Sequence, residues 1–418
     1  MECVLFGTHS CYLADGSFHV IIKKVNIYEA MKAETINRKG EWHMAALKKL
    51  PIGIENFEEM RREGFYYVDK TRLIEQLLAQ WAKVNLFTRP RRFGKSLNMS
   101  MFQCFFEVGK DQTLFDDLYI SGNHALCEAY QGKFPVVSLS LKGINGTTYE
   151  ETRRFLVKTI NEEARRLSVL SNSTKLDEAD KELFDDLKKK EMSNDSLVYS
   201  IRELTELLEK HYDEKVIVLI DEYDVPLAKA NENGYYDGMV LLLRNLFENG
   251  LKTNSSLKFA ILTGCLRVAK ESIFTGLNNF KIYSIIDKSF DENFGFTDEE
   301  VRELLHYYGQ DEHYESVREW YDGYRFGSAD VYCPWDVINY CSDHRADASL
   351  APKNYWANTS GNNVISHFID SVNEPQKLTK LELERLVNGG MVQKEINEEL
   401  TYKDLYASIE NLWSTLFM

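Results

Sequence analysis

The residues best able to do chemistry form a Gly-Lys-Ser tripeptide at 94–96, after an apolar run and before a helical pattern. At a strand-to-helix turn, a glycine lets the backbone approach phosphate, and free N–H groups of the helix N-terminus point at the anion. Lys95 would then place its charge on the terminal phosphates, and Ser96 would ligate Mg²⁺. The tripeptide predicts a phosphate-binding loop.

The residues before this tripeptide depart from the usual phosphate-loop pattern. The usual first glycine falls at position 89, which is Arg89 here. Two interpretations of the arginines stay open: they add positive charge around the phosphates, or the segment is only a basic turn. The residues expected to hold the nucleotide are Arg91, Arg92, Phe93, Gly94, Lys95, Ser96, Leu97 and Thr263.

A pair of carboxylates supplies the second signal. Asp221 and Glu222 directly follow an uninterrupted apolar run at 216–220. In nucleoside triphosphatases, this pattern places one carboxylate on the magnesium shell and the next beside the attacking water. We therefore expect Ser96 and Asp221 to bind Mg²⁺ and Glu222 to act in catalysis with Lys95. The structural alternative is the polar end of a buried strand, which occurs in any α/β protein.

Three further polar residues each have a structural alternative. The Thr263 hydroxyl either senses the γ-phosphate or satisfies backbone groups at a strand end. Arg267 either reaches a nucleotide, here or in a neighbouring subunit, as a catalytic arginine finger, or forms an ion pair. Asp224 either extends the acidic pair or caps the turn before Pro226.

Two aromatic segments also have two interpretations. Tyr67 either stacks on adenine or lies in a short strand before a helix that Asp69 caps. The segment 320–327 reads as a helix end at Gly323 with packed aromatic residues, or as a ligand-binding aromatic cluster.

The elements that must position these residues alternate between short apolar runs and helical patterns, which predicts βαβ units and a parallel sheet. A charged segment at 171–195 predicts a solvated helical insertion, and Thr297 with Glu300 predicts a capping box at the start of a helical region. The predicted strands are Val84–Thr88, 134–141, 215–220, 258–263 and 281–286.

Composition excludes several classes. With 44% hydrophobic and 28% charged residues, the 418-residue chain is neither disordered nor fibrous. A net charge of −15 disfavours nonspecific binding to nucleic acid or to an anionic membrane. Seven cysteines without a Cys-x-x-Cys pair point to neither a disulfide framework nor a zinc site. We expect a cytoplasmic protein with reduced thiols, no signal peptide and no membrane span.

Together these motifs resemble the bacterial AAA-ATPase-like family, whose members often carry a nuclease-like domain of the PD-(D/E)XK type after the ATPase. In this family, Arg-Pro-Arg-Arg-Phe-Gly-Lys-Ser is the usual form of the loop. The resemblance implies an α/β P-loop NTPase of the ASCE type, a parallel sheet sandwiched by helices, with Mg²⁺ and ATP. It also implies a mostly helical, lid-like C-terminal region. The matching stretches are 50–53, 67–71, 89–96, 219–224, 263–279 and 320–324.

We expect a non-core leader at 1–43, the P-loop domain at 44–290 and the helical region at 291–418. Glu382 and Glu384 lie in a charged helical stretch and not on a strand, so nuclease activity is not expected. The chain is then truncated or split, or it acts with a partner or by self-association. The predicted function is a slow Mg-dependent ATPase. The alternative is a nucleotide-gated interaction switch with negligible hydrolysis.

Overall fold

The computed structural model describes residues 47–266, 280–347 and 349–355, with short stretches between 381 and 414. The predicted leader at 1–43 lies outside these residues. The helices are α1 (Phe57–Arg62), α2 (Arg72–Gln80), α3 (Lys95–Phe106), α4 (His124–Tyr130), α5 (Tyr149–Arg166), α6 (Glu178–Leu187), α7 (Asn194–Tyr212), α8 (Val225–Glu232), α9 (Tyr236–Phe247), α10 (Asp298–Tyr307), α11 (Tyr314–Tyr321) and α12 (Pro334–Ala346). The strands are β1 (Val84–Thr88), β2 (Val136–Ser140), β3 (Val216–Asp221), β4 (Leu257–Gly264), β5 (Phe280–Tyr283), β6 (Phe296–Thr297), β7 (Tyr324–Phe326) and β8 (Ala329–Tyr332).

The first five strands form one parallel sheet in the order β2-β3-β4-β1-β5. The prediction of a parallel sheet is confirmed, and each predicted strand overlaps an observed one. Because all five strands run the same way, their carboxyl ends meet at one edge. The arrangement is compatible with a P-loop NTPase-like fold.

Helices cover both faces of this sheet because neighbouring side chains on a strand point to opposite faces. On β3, every residue is buried. Val218 and Ile220 pack into a core that helices α5 to α9 complete. Ile217 and Leu219 pack into a second core with helices α1 to α3.

The charged segment at 171–195 contains helix α6, which begins with a capping box between Asp177 and Asp180. Glu178, Glu182, Asp185 and Asp186 are exposed, as the sequence predicts, whereas Asp180 of the cap is buried. Phe184 and Leu187 are buried in the first core, so the opposite face packs against the sheet domain.

Residues 296–355 hold α10, α11 and α12 around a core of their own. The capping box of Thr297 and Glu300 is confirmed at the start of α10. A small antiparallel sheet, in the order β6-β8-β7, lies among these helices and was not predicted from the sequence. Its strands have two to four residues, too short for a periodic pattern to reveal. Helix α11 ends at Tyr321, two residues before the predicted end at Gly323.

A buried ion pair joins the sheet domain to this C-terminal part. The Lys70 ammonium lies 2.6 Å from the nearer Glu300 carboxylate oxygen and 2.8 Å from the Glu292 carbonyl oxygen. Glu300 also accepts a hydrogen bond from the Thr297 amide, so one carboxylate serves the helix cap and the ion pair. Lys70 is therefore a tether between the two parts.

We expect Lys70→Met to lower the free energy of unfolding by about 2–4 kcal/mol, because it leaves the Glu300 carboxylate without its buried cation. Chemical denaturation measures this loss. The matched control is Lys175→Met, which removes an exposed ion pair with Asp213 and should cost less than about 1 kcal/mol. Equal losses in the two variants would contradict the tether.

Candidate functional site

The turn between β1 and α3, here named the 88–96 loop, has the predicted strand-to-helix geometry. Gly94 caps α3 in the left-handed region, with φ of 80°. Arg92 also has a positive φ, of 73°. A side chain at position 94 would be strained in this backbone conformation, which explains the glycine. The amides at the start of α3 are therefore free to face an anion.

The Lys95 side chain is buried and folds back on the loop that carries it. Its ammonium donates hydrogen bonds to the Arg89 carbonyl at 2.9 Å and the Pro90 carbonyl at 2.8 Å. The Cys265 thiol lies 3.6 Å from the same nitrogen. A positive charge is thus held inside the 88–96 loop and not in solvent.

The Asp221 carboxylate joins the loop to the neighbouring strands. Ser96 Oγ donates to Asp221 Oδ2 at 2.6 Å, across 125 residues of sequence. Thr263 Oγ1 donates to the other carboxylate oxygen and accepts a hydrogen bond from the Glu222 amide at 3.2 Å. The two residues predicted to bind Mg²⁺ are therefore in contact, and Thr263 holds the acidic pair in place.

Glu222 has a left-handed backbone, with φ of 52°, which is uncommon for a residue other than glycine. Burial raises the pKa of its carboxyl group, and the carboxylates of Asp221 and Asp224 add to this. The positive charges of Lys95 and Lys142 act in the opposite direction and lower the pKa. Glu222 therefore binds a proton more readily than a glutamate in water.

Lys142 was not predicted from the sequence. It follows β2, whose Ser140 pairs with Asp221. The Leu141 amide donates to the Asp221 carbonyl at 2.9 Å, and the Lys142 ammonium forms an ion pair with Glu55. Only its place after the carboxyl end of a predicted strand could have signalled it.

Arg89, at the position of the usual glycine, is fully buried and has a structural role. Its guanidinium donates to the carbonyls of Tyr283 at 2.8 Å and Phe290 at 3.1 Å. It also lies over the rings of Phe294 and Phe326, at 4.9 and 5.3 Å. Burial lowers the pKa of Arg89 to about 10. This arginine ties the 88–96 loop to the residues after β5.

Other loop residues pack against the C-terminal part. The Arg92 guanidinium lies 4.4 Å from the centre of the Trp335 ring. The buried Phe93 ring contacts Tyr324 at 4.8 Å and Phe326 at 5.1 Å between ring centres. These contacts hold Arg92 and Phe93 of the 88–96 loop against the C-terminal part.

Two more candidates for nucleotide binding flank this arrangement. Leu97 is partly buried against the second core. The exposed Arg91 side chain forms a hydrogen bond with the Cys265 thiol. The negative charge of Glu222 is among the interactions that raise the pKa of Arg91. Of the predicted binding residues, Arg91 thus extends toward the carboxylates and Leu97 toward the core.

Two sequence candidates, Asp224 and Tyr67, make contacts inside the protein. The Asp224 side chain makes no cap to α8 and instead accepts from the Cys265 amide at 2.8 Å. The Tyr67 ring packs edge-on against Phe57, at 5.3 Å, and its hydroxyl donates to the Met101 sulfur. Tyr67 is thus packed, but residues 66–69 form no strand. Helix α2 begins at Arg72 after Thr71, whose amide donates to the Asp69 carboxylate at 2.8 Å. Arg267 lies outside the described residues.

Ser96 and Asp221 suit a magnesium ion in their chemistry. Mg²⁺ takes oxygen ligands and is commonly held by one or two carboxylates together with substrate phosphates and water. The described part of the chain contains no group of three His, Cys, Asp or Glu side chains able to hold a metal. An ion at this site would therefore need oxygen ligands from the nucleotide or from water.

We expect Arg89→Gly, which restores the usual glycine, to lower the free energy of unfolding by more than about 3 kcal/mol. The variant loses the guanidinium hydrogen bonds to Tyr283 and Phe290 and opens a cavity between Phe294 and Phe326. Thermal or denaturant unfolding measures the loss. Arg91→Gly is the matched control in the same loop, with a smaller loss expected because its side chain is exposed.

Comparison with known proteins gives two matches. A family described as "Predicted AAA-ATPase" matches residues 51–274. The curated relative "Uncharacterized protein in vnfD 5'region" of Azotobacter chroococcum mcd 1 is 29% identical over 303 residues. The match covers 70% of this chain and 51% of the relative, so the chain spans about half of that protein. Among the described helices, none has the length and apolar character needed to cross a membrane.

Proposed function

The chain belongs to the AAA-ATPase-like family, and on that premise we propose that it binds ATP with Mg²⁺ and hydrolyses it slowly. One observation carries the proposal: the 2.6 Å contact between Ser96 and Asp221, beside the buried Lys95. A hydroxyl and a carboxylate thereby meet at the N-terminus of α3, and the Lys95 ammonium lies in the same loop, on the Arg89 and Pro90 carbonyls. This combination suits a phosphate group and its metal ion.

In this proposal the 88–96 loop binds the phosphates. The Lys95 ammonium exchanges its hydrogen bonds with the Arg89 and Pro90 carbonyls for the phosphate oxygens. Backbone amides at 94–96 add neutral donors, and Arg91 supplies a second cation at the loop. Ser96 and Asp221 hold Mg²⁺, which neutralises charge on the transferring phosphoryl group when it is bound.

Glu222 is the residue proposed to act on the attacking water. Its ionised carboxylate accepts a hydrogen bond from the water and orients it toward the phosphoryl group. The Thr263 hydroxyl fixes the Glu222 amide at 3.2 Å and, through Asp221, the metal site. Lys95, and to a smaller extent Lys142, lower the pKa of the Glu222 carboxyl group and partly offset the rise that burial causes.

A second function, a nucleotide-gated switch with negligible turnover, has one observation in its favour. Arg92 and Phe93 of the loop contact Trp335 and Tyr324 in the C-terminal part. A loop that moves on binding phosphate would move these contacts as well. Turnover that disappears in Glu222→Gln while binding persists favours the ATPase, and no turnover in the unmodified chain favours the switch.

Lys95→Ala should weaken Mg-ATP binding by about ten- to a hundredfold, because it removes a charged hydrogen-bond donor from the phosphates. Isothermal titration calorimetry on the folded chain measures the affinity. Lys133→Ala removes an exposed lysine at the opposite end of β2 and should leave the affinity unchanged. Absence of binding by the unmodified chain, or equal affinities of all three proteins, would overturn the proposal.

Hydrolysis should decline as the pH falls through the raised pKa of Glu222, because the protonated carboxyl group no longer accepts a hydrogen bond from water. Lys142→Met removes a charge that lowers this pKa, so the acidic limb should move to higher pH. Steady-state rates across pH test the shift, with Lys133→Met as the control of equal charge change. An unmoved limb in Lys142→Met would argue against Glu222 as the water-activating group.

A further inference from the structure

Asp224 is a buried carboxylate on which separate parts of the chain converge. Its Oδ2 accepts hydrogen bonds from the amides of Cys265 at 2.8 Å and Leu266 at 3.1 Å. The Tyr402 hydroxyl donates to the same oxygen at 3.0 Å, across 178 residues of sequence. The other oxygen, Oδ1, has no hydrogen-bond partner in the described part of the chain. Since a buried carboxylate depends on its donors, each of these three contributes to holding it.

Tyr402 belongs to a short stretch, here named the 400–404 segment, that docks on the sheet domain. Leu400 and Tyr402 are buried in the first core. The Tyr402 carbonyl accepts a hydrogen bond from Asn231 of α8 at 3.1 Å. Lys403 forms an ion pair with Asp237 of α9 at 2.5 Å. The segment is thus held by apolar, hydrogen-bond and ionic contacts to α8 and α9.

Three successive contacts connect the docked segment to the candidate phosphate site. Tyr402 bonds Asp224, and Asp224 bonds the Cys265 amide. The Cys265 thiol then lies 3.6 Å from the Lys95 ammonium. Gly264 makes this approach possible, because a side chain there would overlap the Tyr223 ring. The turn after β4 is therefore shared between the 400–404 segment and the lysine of the 88–96 loop.

We propose that docking of the 400–404 segment and nucleotide binding at the 88–96 loop are thermodynamically coupled, with Tyr402 as the positioning residue. This inference rests on the proposed function. When docked, the Tyr402 hydroxyl keeps Asp224 and the Cys265–Leu266 amides in the arrangement in which Lys95 and Asp221 face the same edge. Burial keeps the pKa of Tyr402 well above its ordinary value, so the hydroxyl remains a donor at neutral pH. Docking of the 400–404 segment thereby regulates the affinity of the site for nucleotide.

Coupling of this kind must be reciprocal. If the docked segment strengthens binding, bound nucleotide must strengthen docking by the same factor. Hydrogen exchange of the 400–404 amides reports docking, and calorimetry reports the affinity. Typical couplings between two sites are about 5- to 150-fold. A purely structural role for Tyr402 would change stability but would leave exchange at 400–404 independent of nucleotide.

The experiment compares the full chain with two variants of Tyr402, using Mg-ATP as the probe. Tyr402→Phe keeps the ring and removes only the hydroxyl, and we expect affinity about fivefold weaker. Tyr402→Glu sets a second carboxylate against Asp224 and expels the segment, and it should show the full loss. Tyr321→Phe is the control, because it removes another partly buried tyrosine hydroxyl, which bonds the Lys353 carbonyl. Its affinity for Mg-ATP should equal that of the unmodified chain.

The coupling is supported if Mg-ATP slows hydrogen exchange of the 400–404 amides by the same factor by which Tyr402→Glu weakens the affinity for Mg-ATP. The coupling is overturned if both folded Tyr402 variants bind Mg-ATP as tightly as the unmodified chain. If Lys95→Ala still binds Mg-ATP more weakly in the same assay, the proposed ATP site stands. The coupling is also overturned if the exchange rates of the 400–404 amides are the same with and without Mg-ATP. If the unmodified chain binds no Mg-ATP, both the site and the coupling are overturned. Thermal unfolding of each variant confirms that it is folded.

Discussion

The Asp221 carboxylate, shared between the Ser96 and Thr263 hydroxyls, is the interaction on which the candidate site depends. It is possible because β4 lies between β1 and β3, so the ends of all three strands meet within hydrogen-bond distance. The carboxylate is almost fully buried, and burying an unpaired charge would be costly. Two donors offset that cost and at the same time fix the start of α3 against β3. The strand order of the sheet thus determines the geometry of the candidate site.

The 88–96 loop contacts the residues after β5 and the C-terminal part as well as the parallel sheet. Arg89 takes the place of the usual glycine and binds the carbonyls after β5. Phe93 and Arg92 pack on aromatic residues of the C-terminal part. A common phosphate loop relies on glycines for its shape, whereas this loop is held by buried side chains. Its conformation therefore depends on residues more than two hundred positions further along the chain.

Charges of both signs are concentrated at the same sheet edge. Lys95 and Lys142 lower the pKa of Glu222, while burial and the neighbouring carboxylates raise it. The chain as a whole has a net charge of −15, so this local balance is a property of the fold and not of the composition. An acidic protein thereby places two lysines next to its candidate site, as the proposed binding of an anionic ligand requires. The 400–404 segment reaches this edge through Asp224, which connects the end of the chain to the site.

The sequence by itself determined the sheet, the helix α3 and the order of the chemical groups, because short apolar runs and a glycine before a helix are local signals. It also singled out Lys95 and Ser96 through the Gly-Lys-Ser tripeptide, and Asp221 and Glu222 through the end of an apolar run. Only the tertiary structure decided the roles of Arg89 and Thr263, and it alone revealed Lys142 and Tyr402. Their partners lie on other strands and segments, and strand order and packing, which no local pattern encodes, bring them together. The sequence does not distinguish Arg89 from Arg91; burial in the tertiary structure shows that Arg89 stabilises the fold and leaves Arg91 exposed.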